Sequence, residues 1–188
     1  GTNDELLCTP SCLGAGSLVL VAAYPFAKRV TWWPQAVLGL TFNWGALLGW
    51  AAATGGLDWP AGLLYLGAIF WTVGYDTIYA HQDKEDDILI GVKSSALKLG
   101  NRTRPWLFAF FGVAVMLMGL AGTLAGLTWP FFAGLAIAAA HLVGQAATVD
   151  TQAPADCLAK FKSNRHVGWI VLAALVAGKH VVTDKPLA

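Results

Sequence analysis

Five of the eleven acidic residues of this 188-residue chain crowd into Asp76-Thr77-Ile78-Tyr79-Ala80-His81-Gln82-Asp83-Lys84-Glu85-Asp86-Asp87. On one continuous helix, at about 100° per residue, Asp83 and Asp87 fall within about 20° either side of Asp76. Three carboxylates then stripe one face, and Glu85 points the opposite way. Like charges at i, i+4 repel, so such a stripe is unfavourable until a cation reverses the sign. Oxygen-only ligands suit magnesium, which keeps several waters and is usually shared with phosphate oxygens. At about 1.5 Å rise per residue, Asp83 and Asp87 are about 6 Å apart along the axis and can share one ion, whereas Asp76 lies about 10 Å further on. Either a second ion is bound, or Asp76 faces the reacting organic part of a substrate. The plainer alternative is a solvated acidic helix end.

Basic residues ring the cluster: Lys28 and Arg29 before it, and Lys93, Arg102 and Arg104 after it. A lipid diphosphate at a membrane interface needs this combination of divalent ion and cationic side chains, with apolar spans beneath for its tail.

Those spans are legible in the composition. Hydrophobic residues make up 56% of the chain against 12% charged, and the mean hydropathy is +0.58, which excludes an ordinary soluble surface. Uncharged stretches run 6–27, 30–57, 59–75, 105–149 and 166–178, and about 20 apolar residues cross a bilayer. Cut at their turn signals, they predict six spans: about 6–27, 35–54, 59–80, a fourth from Pro105, a fifth after Trp129-Pro130 ending near Thr148, and a sixth at about 167–182. Ten of the twelve basic residues then fall in alternate connections, as the positive-inside rule requires of a cytoplasmic or matrix face. Trp32, Trp33, Trp59, Trp106 and Trp129 fit an interfacial belt. Gly45-x-x-x-Gly49 and Gly122-x-x-x-Gly126 have the spacing of close helix contacts.

Other chemistries find little support. Cys8, Cys12 and Cys157 lack metal spacing and are expected to be packing residues. There is no glycine-rich phosphate loop and no HExxH, and topology explains the basic residues without nucleic acid. A hydrated loop position is expected for His81, pairing with a neighbouring helix for His141, and headgroup contact or a place over a cavity for Asn164 and Arg165. The start Gly1-Thr2-Asn3-Asp4 has neither an initiating Met nor a cleavable signal, so the chain is expected to be a piece of a longer protein.

At the acidic cluster the chain resembles a known family. Asp76-x-x-Tyr79-x-x-x-Asp83-x-x-x-Asp87 is similar to the second aspartate-rich motif of the UbiA-type membrane prenyltransferases. The segments 24–35, 74–80, 90–96 and 154–165 resemble the 4-hydroxybenzoate polyprenyltransferase branch, and the likeness runs from about Leu18 to about Gly178; residues 1–12 do not share it. The resemblance implies an all-α transmembrane bundle of nine spans, of which this chain would carry about six in a single domain. It also implies transfer of a polyprenyl group from polyprenyl diphosphate to the ring of 4-hydroxybenzoate in ubiquinone biosynthesis, in a bacterial or mitochondrial inner membrane. Residue by residue, Asp83 and Asp87 would be magnesium ligands, Asp76 a magnesium-site or catalytic residue with Tyr79 beside it, and Tyr24, Lys28, Arg29 and Lys93 diphosphate contacts. The family's first motif, N-D-x-x-D-x-x-x-D, is missing, so the chain alone is expected to be inactive. A non-catalytic remnant that binds isoprenoid lipid or packs on a partner is the alternative.

Overall fold

The computed structural model describes residues 31–183, with side chains to Lys179, together with Gly16, Leu18, Ala22, Ala27, Arg29 and Val30. Helices α1 (Pro34–Phe42), α2 (Trp44–Thr54), α3 (Trp59–Ala80), α4 (Lys84–Ile90) and α5 (Ser95–Leu99) come first. A 3₁₀ turn (Gly100–Arg102) then leads into α6 (Thr103–Leu124), α7 (Trp129–Thr148) and α8 (Pro154–Thr183). No strand occurs among the described residues, so the expected all-α, multi-span bundle is what forms. The stretches Pro34–Thr54, Ser95–Leu124 and Trp129–Thr148 are long and apolar enough to cross a membrane. At 22 residues, α3 is about 33 Å long and matches a bilayer core; its indoles, phenols and Asp76 lower its hydropathy. Most of the predicted first span, with Cys8 and Cys12, lies outside the described residues.

Prolines set the starts. Pro34 opens α1, and Pro60 and Pro130 stand second in α3 and α7, where a missing N–H costs nothing and φ is already helical. Gly55 (φ 80°) and Gly126 (φ 67°) take the left-handed conformation that closes α2 and α6.

The second predicted span forms as Pro34–Thr54 with an interruption, and the sixth needs correction. The second is broken at Asn43, whose amide donates to the Gly39 carbonyl (2.9 Å) and to Thr72 Oγ1 on α3 (2.8 Å). Beside the break, Tyr65 Oη donates to the Leu40 carbonyl at 2.6 Å, and these bonds supply the partners that an interrupted helix needs in an apolar medium. The sixth span is the last part of a 30-residue helix that starts at Pro154. Lys160, Lys162 and Arg165 mark where apolar sequence begins, but they are good helix formers and do not end the helix.

Helix α3 is the centre of the bundle, packed by α6, α1, α8 and α2. One buried cluster joins Ile78 to Leu107, Phe111, Leu142 and Val167; another joins Tyr65, Ile69 and Val73 to Leu47 and Phe110. Close approach does not come from Gly45 and Gly49, where a Cβ would meet no described atom within 4 Å. It comes from glycines of α3 and from Gly122 of the second spaced pair, where a Cβ would overlap the Phe131 ring. A Cβ on Gly67 would stand 3.1 Å from the Ala114 carbonyl oxygen, and one on Gly74 would overlap the Phe111 ring. Overpacking a site of this kind costs about 1–3 kcal/mol. Gly74→Val in the full-length protein should therefore lower the thermal midpoint in detergent; an unchanged midpoint would contradict this α3–α6 contact.

Candidate active site at the end of helix α3

The continuous helix expected from Asp76 to Asp87 does not form. Helix α3 stops at Ala80, residues 81–83 turn, and α4 restarts at Lys84 with Asp83 as its N-cap residue. Helix polarity supplies the reason. A C-terminus carries about half a negative charge and repels carboxylates, whereas a first turn attracts them by roughly 0.3–1 kcal/mol each. After the break, Glu85, Asp86 and Asp87 lie in the first turn of α4.

Asp76 thus sits on a different helix from Asp83 and Asp87, and the three-carboxylate stripe is not formed as drawn. Among the described residues no three His, Cys, Asp or Glu side chains gather in a way that could hold a metal ion. The Asp87 N–H donates to the Asp83 carbonyl at 2.8 Å, so the two share one helical turn. Asp87 is buried at 4% exposure while Glu85 is exposed, which preserves the expected phase within α4. Two hard oxygen donors fit magnesium, which takes one or two carboxylates and fills its shell with water and phosphate.

The basic residues divide. Lys93 Nζ donates to the Val30 carbonyl at 3.2 Å and lies 5.7 Å from the Trp32 ring centre. The segment bearing Arg29 is thereby brought to the loop that follows α4. Arg104 has another task, since its Nε and Nη2 donate to the Val149 carbonyl at 3.1 and 2.7 Å at the end of α7. Tyr24 and Lys28 lie outside the described residues.

His81 is not the hydrated loop residue that was expected. It is 4% exposed, and its Nε2 lies 2.8 Å from Thr103 Oγ1. Because the Thr103 hydroxyl donates to the Gly100 carbonyl (2.8 Å), it must accept from His81, which fixes the Nε2–H tautomer. Burial, and then the charge of Lys84, push the imidazole down to about 4. The turn is therefore pinned by a neutral histidine. On the other side, Thr77 Oγ1 meets Ser95 Oγ at 2.9 Å, and Ser94 Oγ accepts from the Leu97 N–H at the start of α5.

Sequence reasoning missed an aromatic row. Trp71, Tyr75 and Tyr79 recur every fourth residue along α3, with 5.6 Å between the Trp71 and Tyr75 ring centres. Phe161 of α8 approaches Tyr75 at 5.6 Å and Tyr79 at 4.7 Å. Behind the row, Trp71 Nε1 donates to Asn164 Oδ1 (2.9 Å), Asn164 Nδ2 to Gln145 Oε1 (3.2 Å), and Gln145 Nε2 to Ser163 Oγ (2.7 Å). His141 pairs across to α8, as expected, through Ser163 Oγ at 3.2 Å. The available signal was Gln145, an amide in an otherwise apolar span. Cys157 is a buried packing residue.

The His81–Thr103 bond can be tested by shape-conserving substitution. Thr103→Val leaves His81 Nε2 and the Gly100 carbonyl without this hydroxyl, a loss of about 1–3 kcal/mol, whereas Thr103→Ser should recover most of it. Equal thermal midpoints for Val and Ser variants of the full-length protein would contradict the pinning role.

Known proteins resemble this chain over most of its length. The profile of the UbiA prenyltransferase family matches residues 8–177. The chain is 51% identical over 177 residues to human mitochondrial 4-hydroxybenzoate polyprenyltransferase, covering 92% of this chain and 48% of the relative. Its likeness to the Drosophila melanogaster protein of the same name is 51% over 176 residues (92% and 44%), and to that of Arabidopsis thaliana 50% over 168 residues (89% and 41%). The chain thus spans about half the length of these relatives. No solved structure gives a significant match. With most of its length matched by the family profile, the chain belongs to the UbiA prenyltransferase family.

Proposed function

We propose that the full-length protein transfers a polyprenyl group from polyprenyl diphosphate to the aromatic ring of 4-hydroxybenzoate, a step of ubiquinone biosynthesis, within a mitochondrial or bacterial inner membrane. The observation that carries this reading is the turn holding Asp83 and buried Asp87 at the exit of α3, beside a loop in which Lys93 reaches the residue after Arg29. The names of the relatives supply the substrates.

Asp83 and Asp87 would hold magnesium, which when bound supplies charge neutralisation at the diphosphate oxygens and eases their departure. Arg29 and Lys93, with Tyr24 and Lys28, would bind the same diphosphate; cations aimed at a leaving group act where negative charge develops. The allylic C–O bond breaks, the ring carbon ortho to the hydroxyl bonds to the freed carbon, and the ring releases a proton. Asp76, adjacent in the chain to the aromatic row of α3, is assigned to the organic side of the site, as the acceptor of that proton, with Tyr79 orienting the ring. The surrounding spans keep water from the allylic cation and give the prenyl tail a lipid-like path.

Asp83→Asn in the full-length protein should lower product formation ~100-fold or more, the scale of losing one preorganised electrostatic group, and raise the magnesium concentration needed for half-maximal rate. Glu85→Gln, on the exposed side of α4, should leave both unchanged. Full magnesium-dependent turnover in Asp83→Asn would overturn the assignment, and an equal loss in Glu85→Gln would overturn the phasing of α4.

A further inference from the structure

A groove of about 280 Å³ opens between α6 and α7. Phe108, Gly112, Val115 and Met116 line it from α6, and Ala139 and Val143 from α7. Ala114 and Met118 are the residues of α6 that meet Gly67 of α3. Gly112 and Met116 each stand two residues before one of these, about 200° around the helix. The groove therefore faces away from α3 and from the turn that holds Asp83 and Asp87. Phe108, Met116 and Val143 are exposed along it.

Arg104 stands over its upper end, one helical turn before Phe108. The side chain is exposed, yet its Nε and Nη2 are fixed on the Val149 carbonyl at the end of α7. A guanidinium has five N–H donors, so about three remain for another acceptor. The carboxylates of the α7–α8 turn are engaged elsewhere: Asp150 Oδ1 accepts from the Gln152 N–H and Asp156 Oδ2 from the Asp150 N–H, both at 2.9 Å. Asp156 Oδ1 lies 3.9 Å from Lys160 Nζ, and among the described residues Arg104 makes no ion pair. We infer that this groove seats an anionic phospholipid, its phosphate on Arg104 and one acyl chain between α6 and α7.

Depth supports a lipid of a single leaflet. Counted along α6 from Arg104, the walls run from about 6 Å at Phe108 to about 18 Å at Met116; along α7 from Val149 they run from about 9 Å at Val143 to about 15 Å at Ala139. Half of a bilayer's hydrocarbon core is roughly 15 Å thick. The apolar walls thus occupy the depth of one leaflet's acyl chains, and the guanidinium stands at headgroup level.

Charge supplies the sign. Arg102, exposed at the start of α6, adds to the positive potential at the same end. Basic pockets between spans on the face that carries the positive residues are where anionic head groups bind, and a guanidinium meets phosphate through two parallel N–H···O bonds. Gly112 keeps the space open. A Cβ there would meet no described atom within 4 Å, so this glycine does not serve to draw α6 onto a neighbouring helix; its missing side chain leaves the groove clear at mid-length.

The test is lipid binding to full-length protein, delipidated in detergent and titrated with phosphatidylglycerol or phosphatidylcholine, read by native mass spectrometry. One phosphatidylglycerol should be retained at lower concentration than phosphatidylcholine. Arg104→Gln should raise the apparent Kd for phosphatidylglycerol roughly 10- to 100-fold, the worth of hydrogen bonds to a charged group, with Arg104→Lys in between. Gly112→Leu obstructs the groove and should weaken binding at least about tenfold. Its lipid-free thermal midpoint should stay at or above that of the wild type, because leucine is the better helix former; this variant carries the test if Arg104→Gln, which also loses its bond to α7, does not fold. Inorganic phosphate should not compete. Unchanged binding in Gly112→Leu, equal retention of the two lipids by the wild type, or competition by inorganic phosphate would overturn the inference. So would a lowered lipid-free midpoint in Gly112→Leu, which would place a packing partner in the groove, or displacement of phosphatidylglycerol by an equal concentration of polyprenyl diphosphate, which would assign the groove to the prenyl donor.

Discussion

Carboxylates and helix ends have a fixed electrostatic relation, and the junction of α3 and α4 is built around it. A run of acids continued along α3 would place negative side chains at a negative helix terminus and space them at i, i+4, two penalties of the same sign. Ending α3 at Ala80 and beginning α4 at Lys84 moves Glu85, Asp86 and Asp87 onto a positive terminus. Each effect is worth less than about 1 kcal/mol, but all act together on one short segment. The turn so created is held by neutral side chains, His81 on Thr103 and Thr77 on Ser95.

Below that turn a different constraint applies. Within lipid, apolar burial does not favour helix against helix, so association relies on close packing and interhelical hydrogen bonds. Both are present along α3. Gly67 and Gly74 admit α6, while Asn43–Thr72 and Trp71–Asn164–Gln145 tie α3 to the α1–α2 break and to α7 and α8. The same polar bridges that hold the helices also orient Trp71 of the aromatic row.

Much of this was legible in residue order. Prolines marked the starts of α3 and α7 and Gly55 the end of α2, because a fixed φ or a missing Cβ acts locally. The Asp83–Asp87 pair was legible for the same reason, four residues being one turn. The break at residues 81–83 was not, since phase alone says nothing of terminal polarity. The Asn43 break was equally hidden: it depends on Thr72, 29 residues away. His81 looked solvated because its partner, Thr103, is brought to it only by the fold. The aromatic row carried a signal in its four-residue spacing, but Trp and Tyr in a membrane span are as readily interfacial as functional, and Phe161 joins them only through α8.

The central claim, that Asp83 and Asp87 act through a divalent cation on a diphosphate, is most directly reached by binding rather than turnover. Calorimetry of a polyprenyl diphosphate with purified full-length protein, run in magnesium and again in chelator, isolates it. Tight uptake in magnesium that disappears in chelator is the predicted result. Equal affinity under both conditions would contradict the role given to the two carboxylates.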